Sequence, residues 1–310
     1  MGVQSIYRGA VSDRTERTPT QPTDRTADTI EWTAADAVSV IRVPRASDDK
    51  YRRGVLGIRT GSNTFPGAAV LGVDAAARTG VGMIRYLGPE VPTTLVLQRR
   101  PEIVTAQGRV QAWLLGSGMD AEQRTDAETS LVRSALGEGV PCVIDAGALD
   151  LVPESGARTI ITPHAGELAS LWGRAGVTVE RSSISDDPVH WATATAERFG
   201  VTVLLKGART IIAGPTTSAT SVISVTAASS WAATAGSGDV LGGILGALLA
   251  TNAPFLADES TDILSRVAAT AAYVHQAAST RASGGGPITA LDIAESVGVT
   301  IAELLGQDSR

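Results

Sequence analysis

Cysteine is almost absent from this 310-residue chain: Cys142 stands alone, in the apolar run Pro141-Cys142-Val143-Ile144. A single thiol forms no intrachain disulfide, and a lone cysteine in a strand is ordinarily core filler. The composition therefore suits a reducing compartment, and a cytoplasmic protein is expected. A basic excess is missing too. Asp plus Glu outnumber Lys plus Arg by 32 to 26, a formal charge of −6. Without a basic stripe, no nucleic-acid partner is expected. Long apolar runs are lacking: the longest, 240–250, spans about half a membrane and contains three glycines. It suits a buried helix lying close to a sheet, so no membrane association is expected. Three scattered histidines give no zinc-site spacing. No Gly-x-Gly-x-x-Gly opens a helix after the first strand, which argues against a dinucleotide-binding dehydrogenase, and the phosphate-loop signature of NTPases is absent.

What the chain does have is regular alternation. Residues 8–28 are polar, Thr-rich and mixed in charge, with no signal-peptide core, so a disordered segment is expected over 1–29. A single domain is expected over 30–310. Within it the pattern predicts strands at 55–58, 81–87, 94–98, 112–115, 142–144, 159–162, 201–205, 210–212 and 221–225. Helices are predicted at 67–79, 121–136, 189–199, 236–250, 259–281 and 289–305. Strands that are apolar throughout, such as Cys142-Val143-Ile144, belong inside a sheet covered on both faces. The expectation is an α/β fold: a three-layer α/β/α sandwich with a mainly parallel sheet. The turn Lys206-Gly207-Ala208-Arg209 predicts a hairpin, hence antiparallel strands at one edge. Ligands of such sheets bind beyond the carboxyl ends of the strands, and several polar, glycine-rich clusters fall there.

The most telling cluster is Gly236-Ser237-Gly238-Asp239, at the start of the apolar helix. Helix-start N–H groups lack intrahelical partners and the dipole adds positive potential, so glycines there make an anion cradle. A carboxylate is a poor anion ligand; beside such a cradle, Asp239 suits the task of taking a proton from a hydroxyl nucleophile. Base plus oxyanion site points to phosphoryl transfer. The same residues also suit an ordinary capped loop. Four more clusters follow strands: 61–69, Gly116-Ser117-Gly118, Thr162-Pro163-His164-Ala165-Gly166-Glu167, and Lys206-Gly207-Ala208-Arg209-Thr210.

In this order and spacing, the five clusters resemble those of the ADP- or ATP-dependent NAD(P)H-hydrate dehydratases, a branch of the ribokinase-like superfamily. The resemblance runs from about Trp32 to Leu305 and includes Val143-Ile144-Asp145-Ala146-Gly147-Ala148-Leu149. It implies a ribokinase-like fold and repair of hydrated NADH or NADPH, in the S-epimer, at the cost of ADP, with release of AMP and phosphate. It assigns Asp239 as the base and Gly236, Ser237 and Gly238 as the anion hole. Lys206, Gly207, Ala208, Arg209, Thr210 and Gly238 become nucleotide contacts. Ala68, Gly118, His164 and Asp239 become contacts of the hydrated cofactor. It implies ADP as the activating cosubstrate, and Mg²⁺ near Glu167 through water. It further implies a homotetramer and a separate NAD(P)H-hydrate epimerase as partner.

The chain departs from the pattern in places. Ser229-Ser230-Trp231-Ala232 replaces an Asn-Pro-Gly-Met-like run ahead of the anion turn, Arg59-Thr60-Gly61-Ser62 replaces a Gly-Gly-Ser, and Asp150 replaces an Asn. Two other functions use the same features: a small-molecule kinase of the hydroxyethylthiazole-kinase kind, and a catalytically silent nucleotide-binding regulator.

Overall fold

The computed structural model describes residues 29–215, 222–227, 229–256 and 262–307. The expected disordered segment lies outside the described residues apart from Thr29. Among the described residues, nine strands form one sheet in the order β1-β9-β8-β7-β6-β5-β4-β2-β3. Their bounds are β1 Ile30–Glu31, β2 Val55–Arg59, β3 Met83–Tyr86, β4 Ala112–Leu115, β5 Cys142–Ile144, β6 Thr159–Ile161, β7 Thr202–Leu205, β8 Arg209–Ala213 and β9 Ile223–Thr226. From β3 across to β7 every pairing is parallel. β8 alone is reversed, pairing antiparallel with both β7 and β9, and β1 closes that side in parallel with β9. The hairpin predicted at Lys206–Arg209 is the turn that introduces the reversal.

Alternate residues of each strand feed two separate cores. On one face Leu56, Leu114, Val143, Ile160 and Leu204 pack with helices α1 (Ala34–Val40), α2 (Pro66–Thr79), α8 (Ser237–Asn252), α9 (Asp262–Ser283) and α10 (Ala290–Gln307). On the other face Leu115, Ile144, Ile161, Val203 and Leu205 meet α4 (Asp126–Leu136), α5 (Ala165–Arg174), α6 (Arg181–Asp186) and α7 (Pro188–Phe199). Strands buried on both faces explain the unbroken apolar runs. None of the described helices is long and apolar enough to cross a membrane.

Residues 94–98, expected as a strand, instead lie in helix α3, Glu90–Arg99. Pro92 sits in the first turn, where a proline costs no hydrogen bond, and Pro92 and Val96 bury one face. The strand preference of β-branched Thr93, Thr94 and Val96 gave way to tertiary packing on α2. The sequence also failed to signal α1, α6 and the 3₁₀ segment Ala146–Glu154.

Helices α2 and α8 approach so closely that a Cβ on Gly243 would lie 2.2 Å from the Gly72 carbonyl oxygen. Helix α8 in turn packs on β2, β4 and β5 of the sheet.

Candidate active site

Four neighbouring parallel strands each deliver a polar side chain just past their last residue. Ser117 follows β4, Asp145 follows β5, Thr162 and His164 follow β6, and Lys206 follows β7. At their centre is Asp145, only 3% exposed. Its carboxylate accepts from Ser117 Oγ at 2.9 Å, Thr162 Oγ1 at 2.7 Å and Lys206 Nζ at 3.0 Å. Ala146 next to it takes φ 45, a left-handed backbone rare outside glycine. Burial opposes the ionised form of Asp145, but Lys206 and the hydroxyl donors outweigh it and hold its pKa below the ordinary value.

Lys206 Nζ also stands 3.6 Å from Glu167 Oε2. Burial opposes the ammonium, yet the two carboxylates outweigh it and raise its pKa. The backbone joins the same pieces: Lys206 N–H donates to the Pro163 carbonyl at 2.8 Å, and His164 bridges Lys206 in parallel. His164 is the N-cap of α5. Its Nδ1 accepts from Glu167 N–H at 3.0 Å, and Glu167 Oε2 accepts from His164 N–H at 2.8 Å. An imidazole here fills the place usually taken by Ser or Thr in a capping box. His164 therefore caps a helix and still leaves its side chain 58% exposed.

The anion turn faces this cluster. Gly236 takes φ 86 as the N-cap of α8, and a Cβ there would come within 2.5 Å of Leu71 Cδ1. A Cβ on Gly238 would sit 3.5 Å from Lys206 Nζ, so the ammonium stands beside the start of the helix. Asp239 is the next residue. Burial, then repulsion from Asp145, pushes its pKa up to about 7, with Lys206 acting the other way. A carboxylate with a pKa near neutrality, beside a cation and a glycine-lined helix start, is fit for proton abstraction at ordinary pH.

A cavity of about 300 Å³ opens over the turn. Lys206, Gly207, Ala208 and Thr210 line it together with Ser237, Gly238 and His275. Four of the five residues expected at 206–210 thus meet Gly238 in one pocket. The fifth, Arg209, turns elsewhere. Its guanidinium donates to Ser224 Oγ at 2.8 Å and lies 3.9 Å from Glu31 Oε2, at the edge strands. Its side-chain partners are thus on β1 and β9 and at Thr29 just ahead of β1. Gly118 and Ala68, expected as substrate contacts, are adjacent: a Cβ on Gly118 would lie 2.4 Å from Ala68 Cβ. Gly72, one turn on from Ala68, faces the Asp239 backbone.

Two participants escaped the sequence-based assignment of roles. Asp145 lies within the run 143–149 that carries the family resemblance, but no role was given to it. His275, 5% exposed within α9, places Nε2 3.0 Å from Ser237 Oγ; nothing local in the sequence distinguishes it from a core residue.

A family model described as NAD(P)H-hydrate dehydratase matches residues 56–295, from β2 into α10 and across the whole constellation. The chain belongs to the NAD(P)H-hydrate dehydratase family. It is 42% identical over 240 residues, 74% of its length, to a bifunctional NAD(P)H-hydrate repair enzyme of Mycobacterium leprae, covering 47% of that protein. The chain thus spans about half the length of this relative. It is 32% identical over 209 residues to an ADP-dependent (S)-NAD(P)H-hydrate dehydratase of Xanthomonas campestris, covering 60% of the chain and 70% of the relative. The fold matches that of a Bacillus subtilis ADP/ATP-dependent NAD(P)H-hydrate dehydratase co-crystallised with ATP and Mg²⁺. That match has a TM-score of 0.74 at 21% identity, over 89% of this chain and 99% of the other. The ribokinase-like architecture expected from the sequence is therefore present.

Proposed function

We propose that the protein restores NADH and NADPH from the S-epimers of their C6-hydrates, coupling loss of water to conversion of ADP into AMP and phosphate. The observation that carries this reading is Asp239: a partly buried carboxyl with a pKa near 7, adjoining an anion turn that faces Lys206.

Hydroxide is a poor leaving group and a phosphate ester a good one. Asp239 takes the proton of the C6 hydroxyl, and the oxygen attacks the terminal phosphorus of ADP. The bond from that phosphorus to the bridging oxygen breaks and AMP leaves. The N–H groups at 236–238 and the Lys206 ammonium stabilise the charge on the transferring oxygens; one such preorganised donor is commonly worth roughly 3–4 kcal/mol. The ring nitrogen of the phosphorylated hydrate then pushes out phosphate, and loss of a C5 proton regenerates the dihydropyridine.

In this reading the nucleotide lies in the cavity over the turn, against Lys206, Gly207, Ala208, Thr210 and Gly238, with the backbone of Arg209 completing the strand. The hydrated cofactor lies across Ala68, Gly118 and His164. Mg²⁺ suits one or two carboxylates plus substrate phosphates and water. Asp145 has its oxygens engaged by Ser117, Thr162 and Lys206, whereas the Glu167 side chain is 22% exposed. Glu167 would hold the ion through water, and the ion would neutralise phosphate charge. A homo-oligomeric assembly and a separate epimerase belong to the same reading.

Replacing the base tests it. Asp239→Asn should lose turnover by about a thousandfold while ADP affinity changes little; near-normal turnover in that variant contradicts the assignment.

A further inference from the structure

Beside the proposed nucleotide site the mechanism leaves a buried titratable group unused: His275 of α9, which contacts Ser237 and lines the same cavity. Its Nε2 stands 3.0 Å from Ser237 Oγ and 3.1 Å from the Ser237 carbonyl oxygen. A carbonyl oxygen only accepts, so Nε2 carries the hydrogen and donates it in a fork to both oxygens of Ser237. The opposite tautomer would set a lone pair against the carbonyl lone pairs at 3.1 Å. Burial keeps the ring neutral, pushing its pKa down to about 4.

The consequence falls on the serine. Its hydroxyl oxygen is occupied as an acceptor, and no second partner for it is found among the described residues. The hydroxyl hydrogen is therefore left free for a partner in the cavity that Ser237 lines together with Gly238 and His275. We infer that His275 is a positioning residue: its imidazole fixes the Ser237 hydroxyl as a hydrogen-bond donor to the terminal phosphate of the bound nucleotide. This rests on the nucleotide reading given above. A serine free to rotate would spend part of its time accepting from solvent or donating to a backbone carbonyl; one with its acceptor side filled is preorganised for an anion.

The test is a double-mutant cycle on the full chain, with ADP and AMP titrated calorimetrically into wild type, His275→Phe, Ser237→Ala and the double variant. His275→Phe and Ser237→Ala should each weaken ADP about tenfold, the size of one charge-assisted hydrogen bond. AMP, lacking the terminal phosphate, should shift by less than about twofold, and the double variant should bind ADP no worse than about either single one. His275→Gln, which keeps an N–H at the same place, should retain ADP affinity within about threefold. Equal losses for ADP and AMP in His275→Phe overturn the inference, since the ring would then only fill space. Losses that multiply in the double variant overturn it as well. Nitrogen-15 spectra of the wild-type chain provide a check free of any folding defect: Nε2 of His275 must carry the proton, and a protonated Nδ1 with bare Nε2 contradicts the proposal. If the wild-type chain binds no ADP at all, the nucleotide reading falls, while the spectrum still decides the tautomer.

Discussion

Lys206 Nζ donates to Asp145 Oδ1 at 3.0 Å and stands 3.5 Å from where a Cβ on Gly238 would sit, so one ammonium lies between a buried carboxylate and the first turn of α8. It also lowers the pKa of Asp239 against the opposing effects of burial and Asp145. Lys206→Met should therefore do two separable things. ADP affinity should fall by about tenfold or more, the worth of one charged hydrogen bond. The acid limb of the pH–rate profile should also move to higher pH, because Asp239 loses the cation that favours its ionised form. Measuring kcat/KM against pH beside ADP binding separates the two effects.

The wild-type profile has its own expected shape. With the Asp239 pKa raised from 3.8 to about 7, the base is half-ionised near neutrality. kcat/KM should climb as pH rises through that value and then level.

The same shift has a stability consequence of opposite sense. Between the unfolded and folded pKa values, the folded chain holds a proton that the unfolded chain has lost. Its stabilising contribution is full below the unfolded value of 3.8 and is lost as pH rises through about 7. Asp239→Asn, which cannot ionise, should melt higher than wild type at about pH 8 and lose that advantage towards about pH 4. Thermal unfolding across pH checks the sign; a variant less stable at all pH values contradicts it.

Packing of α2 on α8 positions the anion turn, so Gly243 should tolerate nothing larger. A Cβ there meets the Gly72 carbonyl oxygen at 2.2 Å and Ala75 Cβ at 3.0 Å. Gly243→Ala should cost about 1–3 kcal/mol in urea unfolding through overpacking. Gly173 in α5 has no atom within 4 Å of its would-be Cβ. Gly173→Ala should accordingly be neutral or stabilise by up to about 1 kcal/mol.

Cys142 is 3% exposed, and its Sγ–H donates to the Val140 carbonyl at 3.3 Å. Burial, reinforced by Glu138, pushes the thiol pKa up to about 12. The native protein should resist iodoacetamide at neutral pH, whereas the chain unfolded in guanidinium should show one reactive thiol.

Much of this molecule was legible in the sequence, and the reasons differ by element. Cys142–Ile144 and Thr159–Ile161 announced themselves because strands covered on both faces need apolar residues throughout. The anion turn was legible because few arrangements need two glycines and a carboxylate at the start of an apolar helix. Helix α3 was hidden: its β-branched residues favour strands locally, and only burial of Pro92 and Val96 against α2 decides otherwise. Glu31 and Ser224, the side-chain partners of Arg209, belong to strands far off in sequence and were not legible locally. His275 was hidden for the same reason, since its role comes from a residue 38 positions away.

Phosphoryl transfer to the hydrate with Asp239 as base is tested most directly by a product balance. Purified protein mixed with hydrated NADH, ADP and Mg²⁺ should yield NADH, AMP and phosphate in equal amounts, with nothing formed when ADP is left out. NADH appearing without nucleotide, or a phosphorylated hydrate accumulating as the end product, would contradict it.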